Sequence, residues 1–302
     1  MFKVRFLFLL IFLSACNVVK VNSNFSTRKL TRNSIKNFEY ATPDFQVNYW
    51  KGGEGPVIVL LHGFAGNAQL TWKNELLALA KTHTVIAPDL LWFGKSKATL
   101  TPNLNNQTIA IKQLLNHLKI DTFSVIGQSY GGFLALNLAL NNPTCIRQLC
   151  IANSPGNTFN KEELTGVAKK YNVENVSDLF IFKEAKYLQR LYDLAAYKKY
   201  NLPSFLEKQL YDSYFNQHHL ALIALMNSLQ QEEISVANNS KLWPIKSLVI
   251  WGENDALFSL KEGEKFAASI HADFYSIQKC GHAAQLDQPK LFSKAIVDFF
   301  NH

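Results

Sequence analysis

The chain is poor in charge, poor in cysteine, and without an apolar run long enough to hold it across a bilayer. Charged residues make up 18% of its 302 positions against 48% hydrophobic. Extended disorder, which needs high charge and little apolar material, is therefore excluded for the bulk of the chain. No arginine-rich run and no zinc spacing is present, so a nucleic-acid-binding role is not expected, although Lys and Arg exceed Asp and Glu by 31 to 23. No internal repeat is visible, which removes solenoids and propellers. The apolar run from Phe6 to Ala15 falls short of the roughly 20 residues that about 30 Å of hydrocarbon requires. The length fits one large α/β domain with an insertion, or two domains.

That leading run follows Lys3 and Arg5 and closes on small residues, the pattern of a secretory signal. Its end, Leu13-Ser14-Ala15-Cys16, resembles the bacterial lipobox. The resemblance implies a signal peptide over 1–15, lipidation of Cys16, and a membrane association through the lipid anchor. Asn17 is not the aspartate associated with inner-membrane retention, so in a Gram-negative source the resemblance implies the outer membrane, facing the periplasm. The competing reading is an ordinary signal with an incidental cysteine. Loss of 1–15 lowers the formal charge from +8 to about +6, which suits anionic headgroups or a scattered surface charge with no partner. With Cys16 lipidated, Cys145, Cys150 and Cys280 remain, an odd count that cannot all pair. Residues 16–40 are polar and read as a flexible tether.

Beyond the tether, strand and helix patterns alternate. Phe45–Trp50 alternates apolar with polar, and Val57–Leu61, Thr84–Pro88, Phe123–Ile126, Leu149–Ala152, Ile245–Trp251 and Ala272–Ile277 are short apolar runs. Helical spacing lies between them and in a closing amphipathic stretch from Pro289 to Phe300. Such alternation predicts a mostly parallel sheet covered on both faces, with ligands at the carboxyl ends of its strands. Residues 159–240 read as helices alone, rich in Tyr and Phe, dividing a core of 41–158 and 241–302.

Four polar signals sit at strand ends. Gly127-Gln-Ser129-Tyr-Gly131 lies between a strand and a helix, a sharp turn that holds a serine out at the sheet edge. His62-Gly-Phe64-Ala-Gly66 follows a buried strand and can present a backbone N–H from Phe64 beside that of Tyr130. Trp251-Gly-Glu-Asn-Asp255 ends another strand, and Cys280-Gly-His282 follows the last. A serine nucleophile needs a base, an orienting acid and an oxyanion hole, and the order Ser129, Asp255, His282 supplies them in sequence. Glu253 and Asp287 are rivals for the acid, and Cys280 is a rival nucleophile beside His282.

On these motifs, with Ala87-Pro-Asp89 and Phe93-Gly-Lys-Ser96, the chain resembles the serine α/β-hydrolases of the capped esterase/lipase type from about Phe45 onward. It departs at Trp92, where the family has a glycine variant. The resemblance implies an α/β-hydrolase fold with a helical cap inserted after strand 6, and catalytic roles for Ser129, Asp255 and His282. It implies an oxyanion hole from Phe64 and Tyr130, His62 shaping that loop, three or four cap aromatics lining a pocket, and no cofactor or metal. The expected substrate is a small-molecule ester or lipid. The alternatives are a carbon–carbon hydrolase acting on ring-fission products, an acyltransferase, and a non-enzymatic binding protein on the same scaffold. The carbon–carbon reading is kept by Arg190, the cap's one arginine, and weakened by Ala283, where those relatives place an aromatic after the histidine. The oligomeric state is not indicated.

Overall fold

Runs of four to seven β-branched and apolar residues are too short for stable helices, and here they form strands buried on both faces. The structure, a computed structural model, describes residues 17–159, 161–237 and 244–302. The expected signal peptide and Cys16 lie outside the described residues. In chain order the elements are α1 (Val18–Arg32), β1 (Lys36–Ala41), β2 (Phe45–Gly52), β3 (Val57–Leu61), α2 (Ala68–Leu79), β4 (Thr84–Pro88) and β5 (Lys97–Ala98). Then come α3 (Leu104–His117), β6 (Phe123–Gln128), α4 (Tyr130–Asn141) and β7 (Ile146–Ala152). Helices α5 (Lys161–Lys170), α6 (Leu188–Ala195), α7 (Ser204–Leu210) and α8 (His219–Ala237) follow. The chain closes with β8 (Lys246–Gly252), α9 (Leu260–Ser269), β9 (Asp273–Ile277), α10 (Ala284–Asp287) and α11 (Pro289–Asn301).

Among the described residues the strands form one sheet in the order β1-β2-β4-β3-β6-β7-β8-β9, with β5 against β2. All pairs from β4 to β9 are parallel, and β2 is antiparallel to β1, β4 and β5. Successive residues serve opposite faces. Ile58 and Leu60 pack with Trp72, Leu76, Phe292 and Ile296 of α2 and α11. Val59 and Leu61 pack with Ile111, Leu114 and Leu134 of α3 and α4. The parallel register pairs Gln128 with Ala152, Ala152 with Ile250, and Gly252 with Ile277, so the strands carrying the candidate site end side by side.

Helices occupy the span between β7 and β8, as expected for a cap. Counting β1 and the two-residue β5, the strand before it is the seventh. The flexible tether is corrected: 18–32 is helix α1 and 36–41 is strand β1. Asn17 caps α1 by accepting from the Lys20 N–H, and Val19, Ser26 and Leu30 turn inward. Strand β1 is held by six register pairs with β2 despite being largely exposed.

One buried acid is out of keeping with its surroundings. Glu75 on α2 is fully buried, accepts from Ser293 Oγ of α11, and has no partner for its second oxygen. Burial pushes its carboxyl up to about 7. A folded-state value above the unfolded one stabilises the fold at low pH, and that contribution is lost as pH rises from about 4.5 to 7. The loss is on the order of 3 kcal/mol at about 1.4 kcal/mol per unit. Thermal unfolding should therefore show Glu75→Gln melting several degrees above the parent at pH 8 and level with it near pH 4.5. Parallel melting curves at both pH values would contradict this account of Glu75.

Candidate active site

The turn after β6 is made by close packing. A Cβ on Gly127 would meet the Gly131 carbonyl oxygen at 2.1 Å, and one on Gly131 would meet the Leu61 oxygen at 2.2 Å. Only hydrogen fits at either place. Ser129 between them takes φ +53° and ψ −118°, a strained conformation for a residue with a side chain. Its N–H is held by the Ala152 carbonyl at the end of β7. The hydroxyl is left at the sheet edge, ahead of α4.

There it meets the two residues that the sequence grouped with it. His282 Nε2 lies 2.8 Å from Ser129 Oγ, and His282 Nδ1 lies 2.8 Å from Asp255 Oδ2. The Asp255 side chain is fully buried and the His282 side chain is 8% exposed, so the pair sits apart from bulk water. The Leu257 and Phe258 N–H groups donate to Asp255 Oδ1 at 2.8 and 3.1 Å. Asn153, the first residue after β7, donates from Nδ2 to Asp255 Oδ2 at 2.9 Å. Sequence reasoning missed Asn153, since a lone amide after a strand carries no pattern. With both oxygens occupied and Nδ1–H supplied by the histidine, the carboxylate has one orientation. Phe258 sets its ring edge against the imidazole, with centroids 5.5 Å apart.

The rival groups are accounted for. Glu253 accepts from Ser276 Oγ at 3.0 Å. Asp287 accepts the N–H groups of Gly281 and of Tyr197 in the cap, at 2.8 and 2.7 Å, and so ties the histidine loop to the cap. Ala283 N–H adds a bond to the Ala195 carbonyl. Cys280 is buried, and burial with the nearby Asp287 and Asp255 pushes its thiol up to about 12, so it holds no nucleophilic thiolate. Cys150 is also buried, and with Cys145 all three described cysteines are free.

The loop after β3 is fixed by a neutral histidine. His62 is fully buried, which holds its pKa below the usual histidine range. Its Nδ1 donates to the Gly63 carbonyl at 2.8 Å, and Nε2 accepts the Leu90 N–H at 3.0 Å. Asp89 takes the Ala68 N–H on one oxygen and the Lys95 N–H and Asn48 amide on the other. Trp92, at the family's glycine position, takes φ +67° with its side chain buried, so apolar burial offsets backbone strain. Phe64 packs against Phe93, Tyr130 and Phe180. It lines the space in front of Ser129, and Tyr130 opens α4, where a helix dipole favours negative charge.

That space is a cavity of about 320 Å³ between the strand ends and the cap, reached by both Ser129 and His282. Four cap aromatics line it, Phe180, Tyr192, Tyr214 and Phe215, with Leu188, Leu191, Leu202 and Leu210. Apart from His282, no basic side chain among the described residues does. Arg190 is not in the lining: it donates to the Asp178 carbonyl and lies over the Tyr187 ring, 5.1 Å from its centroid. Among the described residues no cluster of three or more His, Cys, Asp or Glu side chains could hold a metal ion.

The sequence profile of the α/β-hydrolase fold family matches residues 56–289. The chain belongs to that family. Among curated relatives it is 26% identical over 272 residues to the 2-hydroxymuconate semialdehyde hydrolase of Pseudomonas sp. strain CF600, covering 86% of this chain and 92% of that protein. It is also 23% identical over 278 residues to monoacylglycerol lipase ABHD6 of Homo sapiens, covering 85% and 79%. Among solved structures, a bacterial membrane phospholipase A superposes with a TM-score of 0.74 at 18% identity, over 100% of this chain and 98% of that one. A meta-cleavage product hydrolase gives 0.75 at 22% identity, over 87% and 97%. Both share the fold.

Replacement of the buried acid separates these assignments. Asp255→Asn should lower turnover about 10⁴-fold, because the amide cannot stabilise the imidazolium and favours the wrong tautomer. Glu253→Gln should stay within a few-fold of the parent. If hydrolysis of one ester by purified variants gives the reverse order, the acid is misassigned.

Proposed function

We propose that this α/β-hydrolase cleaves carboxylic esters with an apolar acyl group, through a covalent acyl-enzyme on Ser129. The observation that carries the reading is the lining of the cavity, mostly aromatic and aliphatic around the Ser129–His282 pair and, among the described residues, without a lysine or arginine. A substrate carboxylate buried there would lose its hydration with no fixed cation to replace it, whereas an acyl chain gains by burial.

In this reading His282 Nε2 takes the Ser129 proton as Oγ attacks the ester carbonyl. Asp255 holds Nδ1–H and stabilises the imidazolium. The developing oxyanion is received by the Phe64 and Tyr130 N–H groups. His282 then protonates the leaving alcohol and activates the water that frees the acid. An alcohol in place of that water would make the same intermediate an acyl donor.

A second reading has one specific support: relatives matching most of the chain are named as hydrolases of 2-hydroxymuconate semialdehyde and of 2-hydroxy-6-oxo-2,4-heptadienoate. A dienoate is a carboxylate. The two readings part on a single panel of p-nitrophenyl esters of graded chain length set beside a 2-hydroxy-6-oxo-dienoate. The ester reading expects kcat/KM to rise from acetate to longer chains, and the dienoate to be turned over at least a hundredfold less well. The reverse ranking would replace it with carbon–carbon hydrolysis. Ser129→Ala should cost on the order of 10⁶ in kcat on the best substrate, and activity within tenfold of the parent would remove the serine mechanism.

We also propose that Cys16 carries the lipid and holds the protein in the cell envelope, at the outer membrane of a Gram-negative source. The support is the motif Leu13-Ser-Ala-Cys16 behind a short apolar run. Mass spectrometry of the mature protein should find acylated Cys16 as its first residue. An unmodified N-terminus elsewhere would end this part of the reading and leave the hydrolase part standing.

A further inference from the structure

Helix α1 has a face that the fold does not use. Val19, Ser26 and Leu30 point inward. On the opposite side Val21 and Phe25, one turn apart, are 55% and 65% exposed. At about 100° per residue, Arg28, Lys29 and Arg32 fall around this pair, and with Lys20 the helix carries four cations and no acid. Two exposed apolar residues on a helix do not make a site. Where this helix sits, and what precedes it, give the pair an occupant.

The helix is fastened beside the mouth of the cavity. Ser23 Oγ donates to Gln69 Oε1 and Gln69 Nε2 donates to Thr27 Oγ1, which joins α1 to α2. The next residue, Leu70, lines the cavity while remaining 51% exposed, and Leu286 lines it while 50% exposed. At its other end α1 is joined to the cap, where Gln209 Oε1 accepts the Val18 and Val19 N–H groups next to the lining residue Leu210. The mature chain proposed above begins at Cys16, so α1 is its first described element and lies at the end that a lipid anchor holds. The lipid surface that takes up the anchor is thereby brought to the outer face of α1. A hydrocarbon layer with an anionic surface accepts the exposed apolar pair and the four cations together.

We infer that α1 is an interfacial docking helix for an anionic lipid bilayer. Val21 and Phe25 enter the boundary between headgroups and acyl chains, and Arg28, Lys29 and Arg32 reach back to the phosphates. The mouth framed by Leu70 and Leu286 is thereby turned to the lipid surface. This goes beyond the ester reading; the choice of a bilayer rests on the cell-envelope reading, and the contacts of α1 itself do not need the acyl chain.

The test uses the mature chain from residue 16 carrying Cys16→Ser, so that neither an acyl chain nor the apolar run Phe6–Ala15 contributes to binding. Phe25→Trp is added, and fluorescence is read on phosphatidylglycerol vesicles with and without brominated acyl chains. Bromination should quench the added tryptophan beyond any change in the Cys16→Ser parent. Equal quenching of the two proteins would overturn the inference. In vesicle flotation, Val21→Asp with Phe25→Asp should lower the bound fraction at least fivefold on phosphatidylglycerol, and hydrolysis of a short soluble ester should stay at the parent rate. Unchanged flotation would overturn the docking role. So would a light-scattering mass that falls from dimer to monomer with flotation unchanged, since the face would then belong to a second copy. Flotation and quenching do not need turnover, so a failure of the ester reading leaves this result legible.

Discussion

The site rests on a crossing of backbones so close that two side chains are forbidden. Helix α4 passes over β6 and β3 with the Gly131 oxygen 2.1 Å from where a Gly127 Cβ would stand, and the Leu61 oxygen 2.2 Å from where a Gly131 Cβ would stand. A helix at that distance cannot be approached by a relaxed chain, so Ser129 absorbs the turn in a strained conformation. The strain is held by packing on both sides, through the Leu61 end of β3 and the Ala152 carbonyl of β7. Everything the serine does depends on its Oγ being fixed before a substrate arrives.

The parallel register carries that fixing outward. The ends of β6, β7, β8 and β9 are level, so the residues that follow them, Ser129, Asn153, Asp255 and His282, gather although they are spread over half the chain. Asp255 has its four hydrogen-bond contacts inside the protein. A buried carboxylate so supplied is held in one place beside the imidazole, and its removal would leave four donors unsatisfied.

The order Ser129, Asp255, His282 could be read because each follows a short apolar run, and strand ends are where open α/β sheets bind. Helix α1 could not be read in the same way. Its inward stripe includes Ser26, and the apolar residues Val21 and Phe25 face outward, so the usual periodicity is inverted. Strand β1 is nearly all exposed and exists through pairing with β2, which leaves little trace in hydrophobicity. Asp287 carried a true signal of importance with the wrong meaning: its acceptor atoms serve backbone N–H groups of Gly281 and Tyr197 and not the imidazole. Arg190 was one candidate contact for a carboxylate; it bonds the Asp178 carbonyl and lies over the Tyr187 ring, outside the cavity lining.

The bonds from Asp287 to Tyr197, and from Ala283 to Ala195, pin one margin of the cap to the histidine loop. Lifting the cap at that margin would break these bonds at about 1 kcal/mol each and disturb the loop that carries the base. Movement of the cap at this margin is therefore felt at the imidazole, and a ligand that enters without parting these bonds leaves His282 in register with the serine.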